Sequence, residues 1–322
     1  MTQPNNLYSS YDAASSVPGG SIREDLGSRI WNVAPSETPL LSDLRKTTAK
    51  NRRHEWLLDT LTAASSSNYA AEGADFSASA ITAPTRKYGV CQISKKEWVV
   101  SETQEVVDKA GRDSEVAYQY AKQAKELKTD METQLFDNNA AVDSGEATAR
   151  ELGGLPAWLT SNVSRGAGGS NGTSGTTAAT DGTQRALTES MLLTVGQSIF
   201  NNSGVSEKMD LYSGAYNKQV ISTFSGAGTK TFDAMAKKVV NNVMIYETPF
   251  NQLMTVQLDR YMRSREIILV QPEYLEVALL RPMSRVKFAK DGDNQKHGLV
   301  VEYTLAVRNQ AACGIVADLN AS

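Results

Sequence analysis

SEVAYQYAKQAKELKTDMETQLFDN, residues 114–138, is the longest run in the chain with one consistent period. Its apolar side chains at Ala117, Tyr120, Ala121, Ala124, Leu127, Met131 and Leu135 recur in steps of three and four, which lays them along one stripe of a helix. The other face is charged. Lys122 with Glu126, and Lys128 with Glu132, are four apart and can pair across a turn, worth a few tenths of a kcal/mol each. Asp113, Ser114 and Glu115 supply an N-cap and negative charge at the start, and Asp137-Asn138-Asn139 closes the run. At about 1.5 Å per residue the helix is a rod of roughly 35 Å. Such a rod reads as a scaffold lying on a sheet, or as an ordinary amphipathic helix on a globular core.

Outward from this rod, the totals set limits. A chain of 322 residues with 40% hydrophobic content holds one large domain or two modest ones. A net charge of -3 and a pI near 5.6 give no global basic field, so sequence-independent DNA binding by the whole surface is not expected. Cys91 and Cys313 stand far apart and form no CxxC, which predicts reduced, buried, structural thiols. No apolar leader and no apolar run of membrane-spanning length is present, so the chain is expected to be made and to stay in the cytosol, away from membranes. The glycan-acceptor patterns at Asn162 and Asn171 then carry no meaning.

Residues 1–20, rich in Ser, Asn, Gly and Pro, read as a mobile arm. Ile22, Leu26 and Ile30 predict a short amphipathic helix, and Thr38-Pro39-Leu-Leu-Ser-Asp-Leu44 a helical turn with Pro at its first position. Two β-rich runs follow, Arg52–Thr62 and Lys87–Val100. Between them, residues 63–83 are mostly Ala and Ser, with Tyr69, Phe76 and Ile81 as the larger apolar side chains. Two strands joined by such a tip form an extended ribbon, stable only when laid on another surface. Ser101-Glu-Thr-Gln104 opens a short helix through Val107 that Gly111 ends. Past the rod, residues 164–181 read as a flexible Gly/Ser/Thr/Ala linker with a domain boundary nearby. Leu187, Met191, Val195 and Ile199 mark a helix ended by Gly204, Met209–Tyr212 a short strand and Tyr216–Phe224 a further helix. β-Rich runs at 239–246, 252–258, 266–270 and 274–280 follow, then a hairpin of 285–289 with 299–307 across 290–295, and a last strand over 311–319. The class is α+β.

The familiar catalytic patterns are absent from the sequence. His54 and His297 are the chain's two histidines, and neither has a Cys or second His at metal spacing. His54-Glu-Trp is not HExxH, and His54 is expected on a strand surface. No GxSxG elbow occurs. Gly226-Ala-Gly228-Thr-Lys230-Thr231 has Thr where a phosphate-binding loop needs Gly before its Lys, and Gly166-Ala-Gly168-Gly169 lacks a dinucleotide fingerprint's third Gly. Glu102 with Glu105 sits on a helical face and Asp291 with Asp293 in a turn, where solvation accounts for them; the latter pair lacks the closing Glu of a calcium loop. Arg52-Arg53 and Lys95-Lys96 serve partner contacts or keep strand edges soluble. Catalytic, cofactor and metal residues are therefore expected to be none. Arm and ribbon cannot offset their own ordering entropy, which favours a self-assembling subunit over a monomer.

Three stretches carry a resemblance: Thr38-Pro-Leu-Leu-Ser-Asp-Leu44 with His54-Glu-Trp56; Gln92-Ile-Ser-Lys-Lys96 through Val107-Asp-Lys-Ala-Gly-Arg112 into the rod; and Val301-Glu-Tyr-Thr-Leu-Ala-Val-Arg-Asn309. From about residue 20 onward the chain resembles the major capsid proteins of tailed bacteriophages with the Hong Kong 97-like fold, in particular a podovirus-type branch. The resemblance implies an N-terminal arm (1–48), an extended β-loop (49–100), a peripheral domain with the spine helix (101–150 and 282–309), and an axial domain (151–281 and 310–322). It implies a structural protein, not an enzyme, that self-assembles as pentamers and hexamers into the icosahedral head shell of the virion, around packaged double-stranded DNA held without sequence-specific contact. A scaffold protein during assembly and a portal protein are implied partners, with decoration proteins left open. Some relatives crosslink a loop Lys to a neighbour's Asn. Lys87, Lys95 and Lys96 fall on predicted strands and the tip has no Lys between 63 and 86, so that reaction is not expected here. The competing readings are a cellular nanocompartment shell of the same fold, which needs a cargo-docking groove, and a hydrolase using a carboxylate pair.

Overall fold

The computed structural model describes residues 37–75, 81–109, 111–143, 148–203, 208–224, 231–233, 238–240 and 244–321. In chain order its elements are α1 (Pro39–Asp43), β1 (Arg45–Thr48), β2 (Arg53–Leu58), β3 (Thr85–Val90), β4 (Gln92–Ser101), α2 (Glu102–Val106), α3 (Glu115–Phe136), α4 (Leu155–Trp158), β5 (Val163–Ser164), α5 (Glu189–Ser203), β6 (Met209–Ser213), α6 (Ala215–Ile221), β7 (Thr231–Asp233), β8 (Lys238–Val240), β9 (Ile245–Glu247), β10 (Leu253–Leu258), β11 (Ile267–Val270), β12 (Leu275–Lys287), β13 (Asn294–Val307) and β14 (Gly314–Val316). The helix expected around Ile22–Ile30, the Gly204 cap and the glycines at 226 and 228 lie outside the described residues.

The 114–138 run folds as the expected rod, α3, with the Ser114 hydroxyl accepting the Ala117 N–H at 3.2 Å. Its stripe, however, is used unevenly. Leu127, Met131, Leu135 and Phe136 are buried, whereas Ala117, Tyr120 and Ala121 lie open. Of the two expected ion pairs, Lys122–Glu126 forms at 3.8 Å and Lys128–Glu132 does not, because Glu132 turns into the core.

Beneath the helix lies a four-stranded sheet in the order β1-β12-β13-β4. β12 and β13 pair antiparallel from Leu275↔Val307 to Lys287↔His297, β4 adds antiparallel to β13, and β1 adds parallel to β12. The runs read as separate strands at 274–280 and 285–289 are one strand. The register slips on either side of Arg281, and the second slip spans Pro282, which has no N–H for a ladder. The second β-rich run is likewise reshaped. It breaks at Cys91, so that β3 stays with the ribbon and β4 joins the central sheet. The strand β1, absent from the sequence reading, is fixed at its end by the Ala49 N–H donating to the Leu279 carbonyl at 2.9 Å.

A second sheet runs β5-β14-β11-β6-β10-β9. Its central strands β11 and β6 are buried on both faces, and alternation divides their apolar side chains between two cores. Met209, Leu211, Met254, Val256, Ile267, Leu269 and Val316 pack under α5 and α6, while Tyr212, Ile268, Val270 and Ile315 face the core shared with α3 and the first sheet. Phe136, the last residue of the rod, meets Tyr212 of β6 at 5.7 Å between ring centroids. The end of α3 is thus wedged against both sheets.

Residues 164–181, expected as a flexible linker, are pinned. The buried carboxylate of Asp318 accepts the Gly166 N–H at 3.0 Å, the Gly182 N–H at 2.8 Å and Arg265 Nη2 at 2.9 Å. Arg263 and Arg265 both reach Asp181, at 2.6 and 3.2 Å. Beside them Glu266 is fully buried, and desolvation raises its carboxyl to about 7 against the pull of Arg263 and Arg165. Asn162 fastens the other end, donating to the Ala311 and Cys313 carbonyls and accepting from Ser198 and Asn202 of α5.

Two expectations follow. Leu135→Ala should lower stability by about 2–5 kcal/mol in chemical denaturation, whereas Ala121→Ser on the open stripe should stay within about 0.5 kcal/mol. Asp318 has a φ of +61°, a conformation Asn tolerates, so Asp318→Asn removes the charge and one of the two N–H acceptors without straining the backbone. It should cost about 3 kcal/mol and speed proteolytic cleavage within 164–183.

Candidate assembly surfaces

The ribbon of β2 and β3 pairs antiparallel from Arg53↔Val90 to Leu58↔Thr85 and is anchored at its base. Trp56 is buried against Trp158 with ring centroids 5.6 Å apart, and the Arg308 guanidinium lies over its ring. Gly89 lets the ribbon pass close to β13, since a Cβ there would sit 2.7 Å from Thr304 Oγ1 and 2.8 Å from the Leu305 carbonyl oxygen. Arg53 pairs with Asp143 and stacks on Tyr88, and Lys87 Nζ donates to Ser174 Oγ at 2.8 Å. Beyond Leu58 this support ends. All of 59–75 and 81–84 is exposed, with Leu61, Tyr69 and Ile81 at 99%, 85% and 96%. Burial of such side chains contributes about 1.5–3 kcal/mol each, and here none of it is gained.

A second open region surrounds the start of the rod. Helix α2 buries no residue and stands on polar ties. The Ser101 hydroxyl accepts the Gln104 N–H, the half of the expected capping box that forms, and Lys109 Nζ donates to the carbonyls of Gln104, Glu105 and Val107. Glu105 accepts from Ser114 Oγ and from the Glu115 and Val116 N–H groups at 2.6–3.3 Å, so it caps α3; these bonds, the hydroxyl's first, hold its carboxyl below the ordinary range. The α2 helix ends at Val106, ahead of Gly111. Val106 is 84% exposed, and the open stripe of α3 with Lys122, Lys125 and Lys128 continues the surface along the rod.

At the other end of the rod, Glu132 is inaccessible to solvent. Its two carboxyl oxygens accept the Leu40 and Leu41 N–H groups at 2.7 and 2.8 Å, which fastens α1 to α3. Asp43 of α1 accepts from Tyr212 Oη and Gln257 Nε2, each at 2.8 Å, which fastens the same turn to β6 and β10.

The residues singled out for chemistry fall in separate places. His54 is half-buried on β2, a position less exposed than the expected strand surface, and desolvation followed by Arg308 lowers its pKa. His297 is buried on β13 beside Arg285 and Trp98 and is lowered by desolvation and then Arg285. Cys91 and Cys313 are buried free thiols raised by desolvation to about 11 and about 12, the unreactive state expected. Glu102 pairs with Lys290, Asp291 with Lys296, Lys95 with Glu97 and Lys96 with Asp130. No three metal-ligating side chains gather among the described residues, and no described helix is long and apolar enough to cross a membrane. What sequence reasoning missed is the Glu132 and Asp318 carboxylates, whose roles depend on contacts 92 and 152 positions away.

A rod helix on a sheet, a second sheet buried on both faces and an anchored ribbon with a bare tip together form the Hong Kong 97-like fold of phage capsid subunits. The cyanophage A-1(L) capsid has a similar chain, with a TM-score of 0.64 and 14% identity over 94% of this chain and 98% of that one. The cyanophage P-SCSP1u capsid gives 0.62 and 8% over 98% and 100%. The chain belongs to the SU10 major capsid protein family, whose model matches residues 3–320. The major capsid protein of Escherichia phage Phieco32 is 24% identical over 322 residues, 88% of this chain and 90% of the relative. The chain is accordingly a phage major capsid protein, a building unit of the virion capsid, and the nanocompartment reading gives way to that match.

Proposed function

We propose that copies of this chain form pentamers and hexamers that close an icosahedral head shell, with the ribbon of each copy lying on its neighbour. The bare tip carries this reading. Leu61, Tyr69 and Ile81 have no apolar cover in their own subunit, and Asp59, Glu72 and Asp75 give the tip negative charge with no cation in residues 59–84. The open half of a neighbour's rod suits it, with small Ala117 and Ala121 flanked by exposed Lys122, Lys125 and Lys128. Residues 1–48 act as arm, 49–100 as extended loop, 101–150 with 282–309 as peripheral domain, and 151–281 with 310–322 as the axial domain that meets its copies at five-fold and six-fold centres. The role is structural rather than catalytic. A scaffold protein guides assembly, a portal protein occupies one vertex, and double-stranded DNA fills the interior without sequence-specific contact, in keeping with a net charge of -3.

Deleting residues 63–83 should leave a folded subunit by circular dichroism, because the described residues of the tip contribute nothing to either core, but should abolish closed particles in electron micrographs when scaffold is supplied. Particles of normal shape and yield from that deletion would count against the inter-subunit role of the ribbon.

A further inference from the structure

The joint where α1 meets α3 contains more carboxyl groups than its hydrogen bonds require. Both oxygens of Glu132 are already engaged by the Leu40 and Leu41 N–H groups, and the Glu132 carboxyl also lies within hydrogen-bonding reach of Asp259. Asp259, just past β10, is buried; its Oδ1 accepts the Tyr261 N–H at 2.7 Å, and its Oδ2 has no other donor. Two enclosed carboxylates side by side repel, so one proton belongs between them. The surroundings supply no substitute for it. From α1 the group facing the joint is Asp43; from β6 come Asp210, buried and raised by desolvation, and Tyr212; from β10 comes Gln257. Lys208 lies beside Asp210, Lys128 one turn back on α3 and Arg260 next to Asp259 are exposed, and no Lys or Arg forms an ion pair with Glu132 or Asp259 among the described residues. Desolvation first, and Asp259 second, raise the Glu132 carboxyl to about 8.

We propose that the Glu132–Asp259 pair is a proton-operated latch: sharing one proton it holds α1 on the spine helix, and loss of that proton to solvent frees α1. No covalent bond changes. The proton leaves, two adjacent anions remain, and the relief available to them is withdrawal of α1, which admits water to Glu132. Position gives the latch its consequence, because α1 is where residues 1–36 enter the described fold, and because its one short turn holds Leu40, Leu41 and Leu44 in the core. With α1 withdrawn, Glu132 returns to an ordinary carboxyl near 4.5. The docked form therefore binds the extra proton between 4.5 and about 8, and docking weakens as pH rises across that window and levels off above it.

The test is amide hydrogen exchange of the full chain from about pH 5.5 to 9.5, corrected for intrinsic rates, with oligomeric state held fixed. Protection at residues 40–44 should fall by up to about tenfold per pH unit toward pH 8 and then flatten, while the α5 segment 192–199 keeps its protection. In Asp259→Asn the amide donates to an ionised Glu132 and no proton is needed, so the profile of residues 40–44 should be flat and exceed wild type above pH 8. Glu132→Gln should also be flat but lower, since an amide cannot accept both N–H groups. A flat wild-type profile, an Asp259→Asn profile that tracks wild type, or parallel loss of protection in α5 would each overturn the latch. The wild-type profile decides even where a variant fails to fold.

Discussion

The wedge made by Leu127, Met131, Leu135 and Phe136 is the contact on which the subunit depends, because it is where one helix closes two sheets at once. The first sheet offers Leu299, Val301, Tyr303 and Leu305 from β13; the second offers Tyr212, Ile268 and Val270. A sheet face that large left to water would forfeit its apolar burial, and a rod ending a turn earlier would leave Phe136 off Tyr212. Close-packed interiors transmit displacement, so the angle between the sheets is set by side chains in the last two turns of α3.

Away from the wedge, attachment changes in kind. The α2 helix is held by hydrogen bonds from Ser101, Lys109 and Glu105, the 164–181 loop by Asp318 and its arginines, and α1 by Glu132 and Asp43. Such ties are directional and individually modest, contributing about 0.5–1.5 kcal/mol each and somewhat more where charged. At α1 they accompany the burial of Leu40, Leu41 and Leu44, whereas at α2 they fix geometry without apolar burial, and Val106, like Leu61 and Ile81 of the tip, faces outward. A monomer gains nothing from that arrangement, whereas a tiling subunit reserves those side chains for its neighbours.

How much of this was legible in the sequence depends on the range of the interaction. The rod, its Ser114 cap, the Pro39 turn, the poverty of the 63–83 tip and the α+β class are written in periods and caps that act within one or two turns. The half-open stripe was not, because Ala117 and Leu135 occupy equivalent helical positions and tertiary structure is set against the second alone. Lys128–Glu132 failed for the same reason: a spacing of four offers a surface pair, and two unsatisfied N–H groups at the start of α1 offered Glu132 a stronger, buried one. The linker reading of 164–181 erred because Gly and Ser composition reports backbone freedom and is silent about Asp318, a lone residue near the other end of the chain.

These observations divide the molecule by the kind of force that holds each part. Where both faces of a strand are apolar, as in β11, the structure resists change under any solvent condition that keeps water cohesive. Where a buried carboxyl closes a joint, as Glu132 does for α1, stability depends on proton activity, since desolvation penalises the charged form and a second acid beside it adds to the penalty. The sheets therefore keep their shape across the pH range in which the α1 joint changes. The titrating group stands one helical turn before Phe136 and is hydrogen-bonded to α1, so proton loss acts on α1 while the Phe136–Tyr212 contact between helix and sheet is kept.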